Sequence, residues 1–142
     1  MSHVTEYPLV SVIIPAFNPG RFIVEALESV DAQQYPNIEI IVVDDASTDE
    51  TPNILESMSD HVRHIRQDRA GASVARNRGI LASAGEYVAF LDADDIWHPE
   101  KLEIQYVFMR DNPDVVLSGH PCPVFKNSFL EIPSSAETKI KA

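Results

Sequence analysis

Asp92-Ala93-Asp94-Asp95 packs three carboxylates into four residues. Charges this close repel one another unless a cation sits among them. Hard oxygen ligands suit Mg2+ or Mn2+, and Mg2+ commonly joins one or two carboxylates to substrate phosphates. Asp92 and Asp94, two apart, face one way wherever strand geometry persists, and they are the candidate metal ligands. The plainer reading is a solvated turn whose carboxylates cap the next helix. A second pair, Asp44-Asp45, can accept from a ribose hydroxyl or a base N–H. Its plainer reading is an N-cap for the helix after Ser47, and one aspartate can do each job.

Both acidic motifs need elements to aim them. Val10-Ser11-Val12-Ile13-Ile14 is short, apolar and β-branched, which predicts a buried strand ended by Pro15. Asn18 is the expected N-cap of the following helix, with Pro19 at its first position. Phe22, Ala26, Leu27 and Val30 recur at helical spacing, to about Gln34. After the Tyr35-Pro36-Asn37 turn, Ile38 to Val43 reads as a second buried strand. Ser47 and Glu50 form a candidate capping box for a helix carrying Ile54, Leu55 and Met58. Val62 to Ile65 reads as a shorter strand. A helix of small residues runs from Ala70 to about Ala84, with Gly85 placed to end it. Tyr87 to Leu91 is the next strand, and Pro99 opens a helix with Leu102, Ile104 and Val107 as core positions. Val115 to Leu117 is a last candidate strand. From Pro121 onward the pattern fails, which predicts an irregular tail over residues 121–142.

Continuous apolar strands alternating with helices predict an α/β fold. The expected form is a mostly parallel, Rossmann-like sheet with helices on both faces, a three-layer α/β/α arrangement. In such a sheet ligands bind beyond the carboxyl ends of the strands. Pro15-Ala16-Phe17-Asn18, Asp44-Asp45 and Asp92-Ala93-Asp94-Asp95 all fall on those ends. The first strand is not followed by Gly-x-Gly-x-x-Gly, which argues against NAD or FAD. No Gly-x-x-x-x-Gly-Lys-Ser/Thr is present, which excludes a P-loop.

The 142 residues fit one domain large enough for its own core. No run approaches the ~18 apolar residues that span a bilayer, and no secretory signal is visible at Met1 to Glu6. One cysteine, Cys122, excludes an internal disulfide framework and a cysteine zinc site, and it has no evident base. A cytoplasmic location is the default. A net charge of −11 argues against wide nucleic-acid binding and reads first as solubility. Five of the eleven basic residues fall between Arg63 and Arg78, namely Arg63, Arg66, Arg69, Arg76 and Arg78. Such a segment can meet a small anion such as a diphosphate, although for any single arginine solvation or pairing with a carboxylate is the expectation. His61 and His64 lack partners at metal spacing. Trp97 reads as a ligand stack or a rim anchor, and His98 as a helix-start residue.

Three blocks together resemble the family 2 glycosyltransferases. They are Val10 to Asn18, Ile41 to Asp49, and Gly71 to Gly79 leading through Gly85 to Asp95. The resemblance covers residues 9 to about 103, in family order. It implies a GT-A fold that binds a nucleotide-diphosphate sugar. The implied binding set is Pro15, Ala16, Phe17, Asn18, Asp44, Asp45, Arg76, Asp92, Ala93 and Asp94. Within it Pro15, Ala16 and Asn18 line the nucleoside pocket, Asp45 faces the base with Asp44 close by, and Arg76 lies near the diphosphate. Asp92-Ala93-Asp94 matches the family's Asp-x-Asp motif, which implies Mn2+ or Mg2+ with Asp94 as the foremost direct ligand. The implied reaction is inverting transfer from a donor, commonly a UDP-sugar, to a hydroxyl of a glycan or lipid-linked acceptor. The implied setting is polysaccharide or cell-envelope synthesis at the inner face of the membrane.

The family's general base and acceptor region lie well beyond Asp-x-Asp. Here only Glu131 and Glu137 stand as candidates by elimination. The expectation is a donor-binding domain over residues 1–120, cut before the acceptor region, with a sheet edge open to homodimer formation. A donor-binding module without transfer is the alternative. A haloacid-dehalogenase-type phosphatase, with Asp92 as nucleophile, is a lesser one, because that motif normally opens its fold. A receiver-type phosphoacceptor at Asp44-Asp45 lacks a suitable late lysine.

Overall fold

The structure, a computed structural model, describes residues 6–119. Four strands carry the apolar runs: β1 (Val10–Ala16), β2 (Ile38–Asp44), β3 (Val62–Arg66) and β4 (Tyr87–Phe90). Helices alternate with them: α1 (Phe22–Asp31), α2 (Thr51–Ser57), α3 (Ala72–Ala82) and α4 (Lys101–Asp111). All pairings are parallel, in the order β3-β2-β1-β4. The chain steps outward twice from β1, then returns across the sheet to place β4 on the other side of β1. The order therefore reverses between β1 and β4, the point where an open α/β sheet leaves a crevice.

The two central strands are buried on both faces, as their unbroken apolar sequences require. On one face Ile41 and Val43 pack with Ala75 of α3, joined by Ile65 and Ala82. Gly79 brings α3 close enough that an added Cβ would lie 2.4 Å from Cγ2 of Ile13. Right-handed crossovers put α1 and α2 on the opposite face. There α1 buries Ile23, Ala26, Leu27 and Val30 at helical spacing. The three-layer α/β/α expectation holds.

Pro15 does not end β1. The strand runs on to Ala16. The Ile13 carbonyl bonds toward β4, accepting from Leu91 N–H at 3.1 Å. Residues two apart point the same way, so Pro15 aims its missing N–H past the last β1–β4 pair, Ile13↔Phe90. No ladder bond is lost there.

Several boundaries move. Helix α1 starts at Phe22 rather than at Pro19, so Phe22 is exposed and Ile23 takes the buried position. Helix α3 stops at Ala82, and Gly85 is no left-handed cap. Instead Gly85 lets the chain pass against β1. A Cβ there would lie 2.5 Å from Ser11 Oγ and 2.8 Å from Leu9 O. Buried Ser11 donates to Glu39 on β2 and accepts from Gly85 N–H, tying three elements together at the amino end of the sheet. Val115 to Leu117 forms no strand, and Val116 and Leu117 are exposed.

The chain divides into two compact units, Met1–Lys101 and Leu102–Ala142. In the second, Leu102 is buried, Val107 half-buried and Ile104 exposed, so α4 presents a narrower apolar face than expected. The side-chain amide of Gln105 donates to Ser118 Oγ at 3.3 Å. No helix among the described residues is long and apolar enough to cross a membrane. Cys122, Glu131, Glu137 and the expected tail lie outside the described residues.

Candidate functional site

Backbone bonding at the carboxyl rim carries the sheet one residue past its strands. Asp45 N–H donates to Ala16 O at 2.8 Å, and Gln67 N–H to Asp44 O at 2.9 Å. The two aspartates following β2 then point to different tasks. Asp44 is fully buried. Its Oδ1 accepts from Ser47 N–H at 2.9 Å, and its Oδ2 accepts from Arg66 Nη1 at 2.5 Å. Arg66 also donates to Ser47 O at 3.0 Å. His64 Nε2 lies 3.6 Å from the same Asp44 oxygen, buried and without a hydrogen bond. Ala46 is held in the left-handed region, φ 64°, to close this turn.

Asp45 is 2% exposed and accepts four donors. Oδ1 takes Gln67 Nε2 at 2.9 Å and Ala70 N–H at 2.7 Å. Oδ2 takes Arg69 Nη1 at 3.0 Å and Gly71 N–H at 2.9 Å. Burial raises its pKa, but the bonds from Gln67, Ala70 and Gly71 and the Arg69 charge outweigh this and hold it below the ordinary value. The N-cap of α3 is Gly71, which has no side chain to cap the helix. Asp45 supplies the missing anion from across the sheet. A carboxylate has about four lone-pair sites, and here all are engaged.

Asn18 is no N-cap. With φ 49° it clips the β1 loop to the β2 loop. Its Oδ1 accepts from Thr48 N–H at 2.7 Å and Asp49 N–H at 3.3 Å, and its own N–H donates to Ser47 Oγ at 2.9 Å. That draws Ser47 away from the expected capping box, and Asp49 bonds the Thr51 N–H at 3.0 Å instead. Half-exposed Phe17 lies under the Arg69 guanidinium, 3.3 Å from its ring centre. Pro15 and Ala16 are the last two residues of β1, just before Phe17.

At the other side of the crevice, Asp92 and Asp94 are exposed and Ala93 between them is buried. Asp95 N–H donates to Asp92 O at 3.0 Å, closing a tight turn. Burial and the charges of Asp94 and Asp92 push the Asp95 pKa up. Arg76, in the second turn of α3, reaches Asp92 with Nη2–Oδ1 at 2.8 Å. Among the described residues Asp94 and Asp95 have no ion pair.

The basic segment is thus the counterpart of the acidic rim. Arg66, Arg69 and Arg76 pair with Asp44, Asp45 and Asp92. Arg63 instead donates to Ala82 O at 2.8 Å. Pairing of the arginines with carboxylates follows the expectation, but which carboxylate each one meets, and the roles of Gln67 and His64, were missed in the sequence. The available signal was the facing of acidic strand ends by a basic stretch on the next strand and helix. Trp97 is a rim anchor: its N–H donates to Ser29 Oγ at 3.1 Å, and Lys101 Nζ covers its ring at 3.5 Å. His98 Nδ1 accepts from Glu100 N–H at 3.3 Å, as a helix-start residue does.

Fold and rim together define a doubly wound α/β protein with paired aspartates and arginines gathered at its strand ends. The family model described as Glycosyl transferase family 2 matches residues 11–139, and the chain belongs to that family. It is 44% identical over 109 residues to TuaG of Bacillus subtilis, a putative teichuronic acid biosynthesis glycosyltransferase, covering 73% of this chain and 43% of TuaG. S. aureus TarS 1-349 in complex with UDP-GlcNAc superposes with a TM-score of 0.67 at 32% identity, over 72% of this chain and 31% of that one. The mannosyltransferase PcManGT of Pyrobaculum calidifontis, in complex with GDP-Man and Mn2+, gives 0.66 at 32% identity, over 72% and 32%. The chain spans less than half the length of these relatives. Membership in the family displaces the phosphatase and phosphoacceptor readings.

Proposed function

We propose that residues 1–120 form the donor-binding half of a metal-assisted, inverting glycosyltransferase, with a UDP-sugar held across the crevice between β1 and β4. The observation that carries this reading is exposed Asp92, paired with Arg76, next to exposed Asp94 at the point where strand order reverses. The acceptor is a glycan or lipid-linked hydroxyl at the inner membrane face. The general base and acceptor contacts come from chain beyond this half, as the greater length of TuaG and TarS supports.

The donor set suits a hard divalent ion, Mn2+ or Mg2+. Among the described residues no three His, Cys, Asp or Glu side chains converge as a metal site, so Asp92 and Asp94 are the residues that would hold an ion here. Bound there, it would neutralise charge on the leaving diphosphate. The chain's own residues do the rest. Arg76 brings a bidentate cation to the phosphates. Phe17, with Arg69 stacked on it, offers a planar surface to the base. Asp45 holds the α3 start in place; its filled shell means that it meets the base only by giving up one of its four donors.

The test is calorimetric titration with UDP, with and without Mn2+, on the parent and on Asp94→Ala. Metal-dependent UDP binding that Asp94→Ala abolishes supports the reading. No binding of UDP, GDP or dTDP overturns it. Among the described residues no strand pairs with the outer edge of β4, whose Val88 and Phe90 are exposed, and this extends the proposal to a homodimer. A strictly monomeric scattering mass at high concentration refutes that part.

A further inference from the structure

Asp92 holds a guanidinium where the donor site calls for a metal. The pair is well formed, 2.8 Å between Arg76 Nη2 and Asp92 Oδ1. It is also accessible, with side chains 35% and 54% exposed, so either partner can be exchanged for a ligand. Gly79 packs α3 hard against Ile13, and Asp45 pins the α3 start. The helix carrying Arg76 is therefore fixed, and only the side chain has freedom to move.

A divalent cation on Asp92 and a guanidinium on the same carboxylate repel each other, and the two compete for its charge. Arg76 has a destination only when a diphosphate is present, because its planar fork fits phosphate oxygens as well as a carboxylate. We propose that Arg76 is an exchange residue: it neutralises Asp92 in the free protein and transfers to the diphosphate when metal and nucleotide arrive together. This rests on the donor-site reading above and adds a coupling to it. Metal alone competes with Arg76 for Asp92 without offering the guanidinium a new anion. Nucleoside diphosphate alone meets an acidic rim whose nearest arginine is engaged. Each ligand thus prepares the site for the other, and the coupling is reciprocal.

Mn2+ binding is measured on the full chain by electron paramagnetic resonance of the free ion, with and without UDP. In the parent, UDP tightens Mn2+ binding by about 5- to 150-fold, the usual span of such couplings. Arg76→Gln binds Mn2+ alone several-fold more tightly than the parent and loses at least ~10-fold of the enhancement by UDP. Arg76→Lys, which keeps the charge without the fork, falls between the two. Because the pair is solvent-exposed, thermal melts of both variants stay close to the parent. Coupled binding in the parent that Arg76→Gln leaves intact, with unchanged affinity for Mn2+ alone, overturns the exchange and leaves the donor site standing. A parent that binds neither Mn2+ nor UDP overturns the donor-site reading and the exchange with it.

Discussion

Asp45 is the residue on which the rim depends most. Its four donors come from β3's continuation and the start of α3, so the carboxylate joins three segments. Asp45→Asn puts an amide N–H2 against N–H donors and removes the Arg69 pair, at a cost of about 2–4 kcal/mol in denaturant unfolding. The same bonds set the acid limit. With its folded pKa held below the ordinary 3.8, the unfolded chain takes up the proton first as pH falls. Asp45 therefore contributes stability fully above that value and loses it as pH drops through the folded pKa; Asp49, also lowered, acts in the same direction. Asp45→Asn flattens the acid limb of the stability–pH curve. Ala46 makes the opposite case. Its left-handed backbone suits glycine, so Ala46→Gly raises stability by up to about 1 kcal/mol, read as a higher denaturant midpoint. The aspartates were legible as candidates because acid pairs at strand ends demand an explanation. What each one does was not, since a carboxylate's partners arrive from residues about twenty positions away.

Elements were legible where their pattern was a matter of burial. The unbroken apolar runs of β1 and β2 and the helical spacing of Ala26, Leu27 and Val30 required little more than counting. Ends were less so, because Asn18, Ser47 and Gly85 were spent on contacts between elements rather than on caps. Gly79 within α3 and Gly85 in the α3–β4 connection test this. Gly79→Ala should stabilise an isolated helix by about 1 kcal/mol. In the fold its Cβ meets the Ile13 side chain, and the change destabilises by roughly 1–3 kcal/mol. In an Ile13→Ala background, which lacks the Cγ1 and Cγ2 that the new Cβ would meet, Gly79→Ala costs less. Gly85→Ala meets backbone atoms of Leu9 and Ser11 at the start of β1, which cannot step aside, so its melting temperature falls further than that of Gly79→Ala and the Ile13→Ala background does not help.

Across the sheet, protection should grade from the centre outward. Amides of β1 and β2, buried on both faces, exchange slowest, and those of edge strands β3 and β4 faster, in native-state hydrogen exchange. A uniform pattern would mean that the sheet opens only as a whole. The architecture was legible because alternating strands and helices leave few topologies once right-handed crossovers are imposed. The reversal that places β4 beside β1 has a consequence for biosynthesis. On the ribosome β1 emerges first and acquires β2 early, but its other flank waits for Tyr87 to Phe90. For most of the time the donor half is being made, the chain's most apolar strand carries an open edge. That interval is when a nascent chain of this design is most exposed to mispairing with its neighbours on a polysome, and when a chaperone would have the most to do.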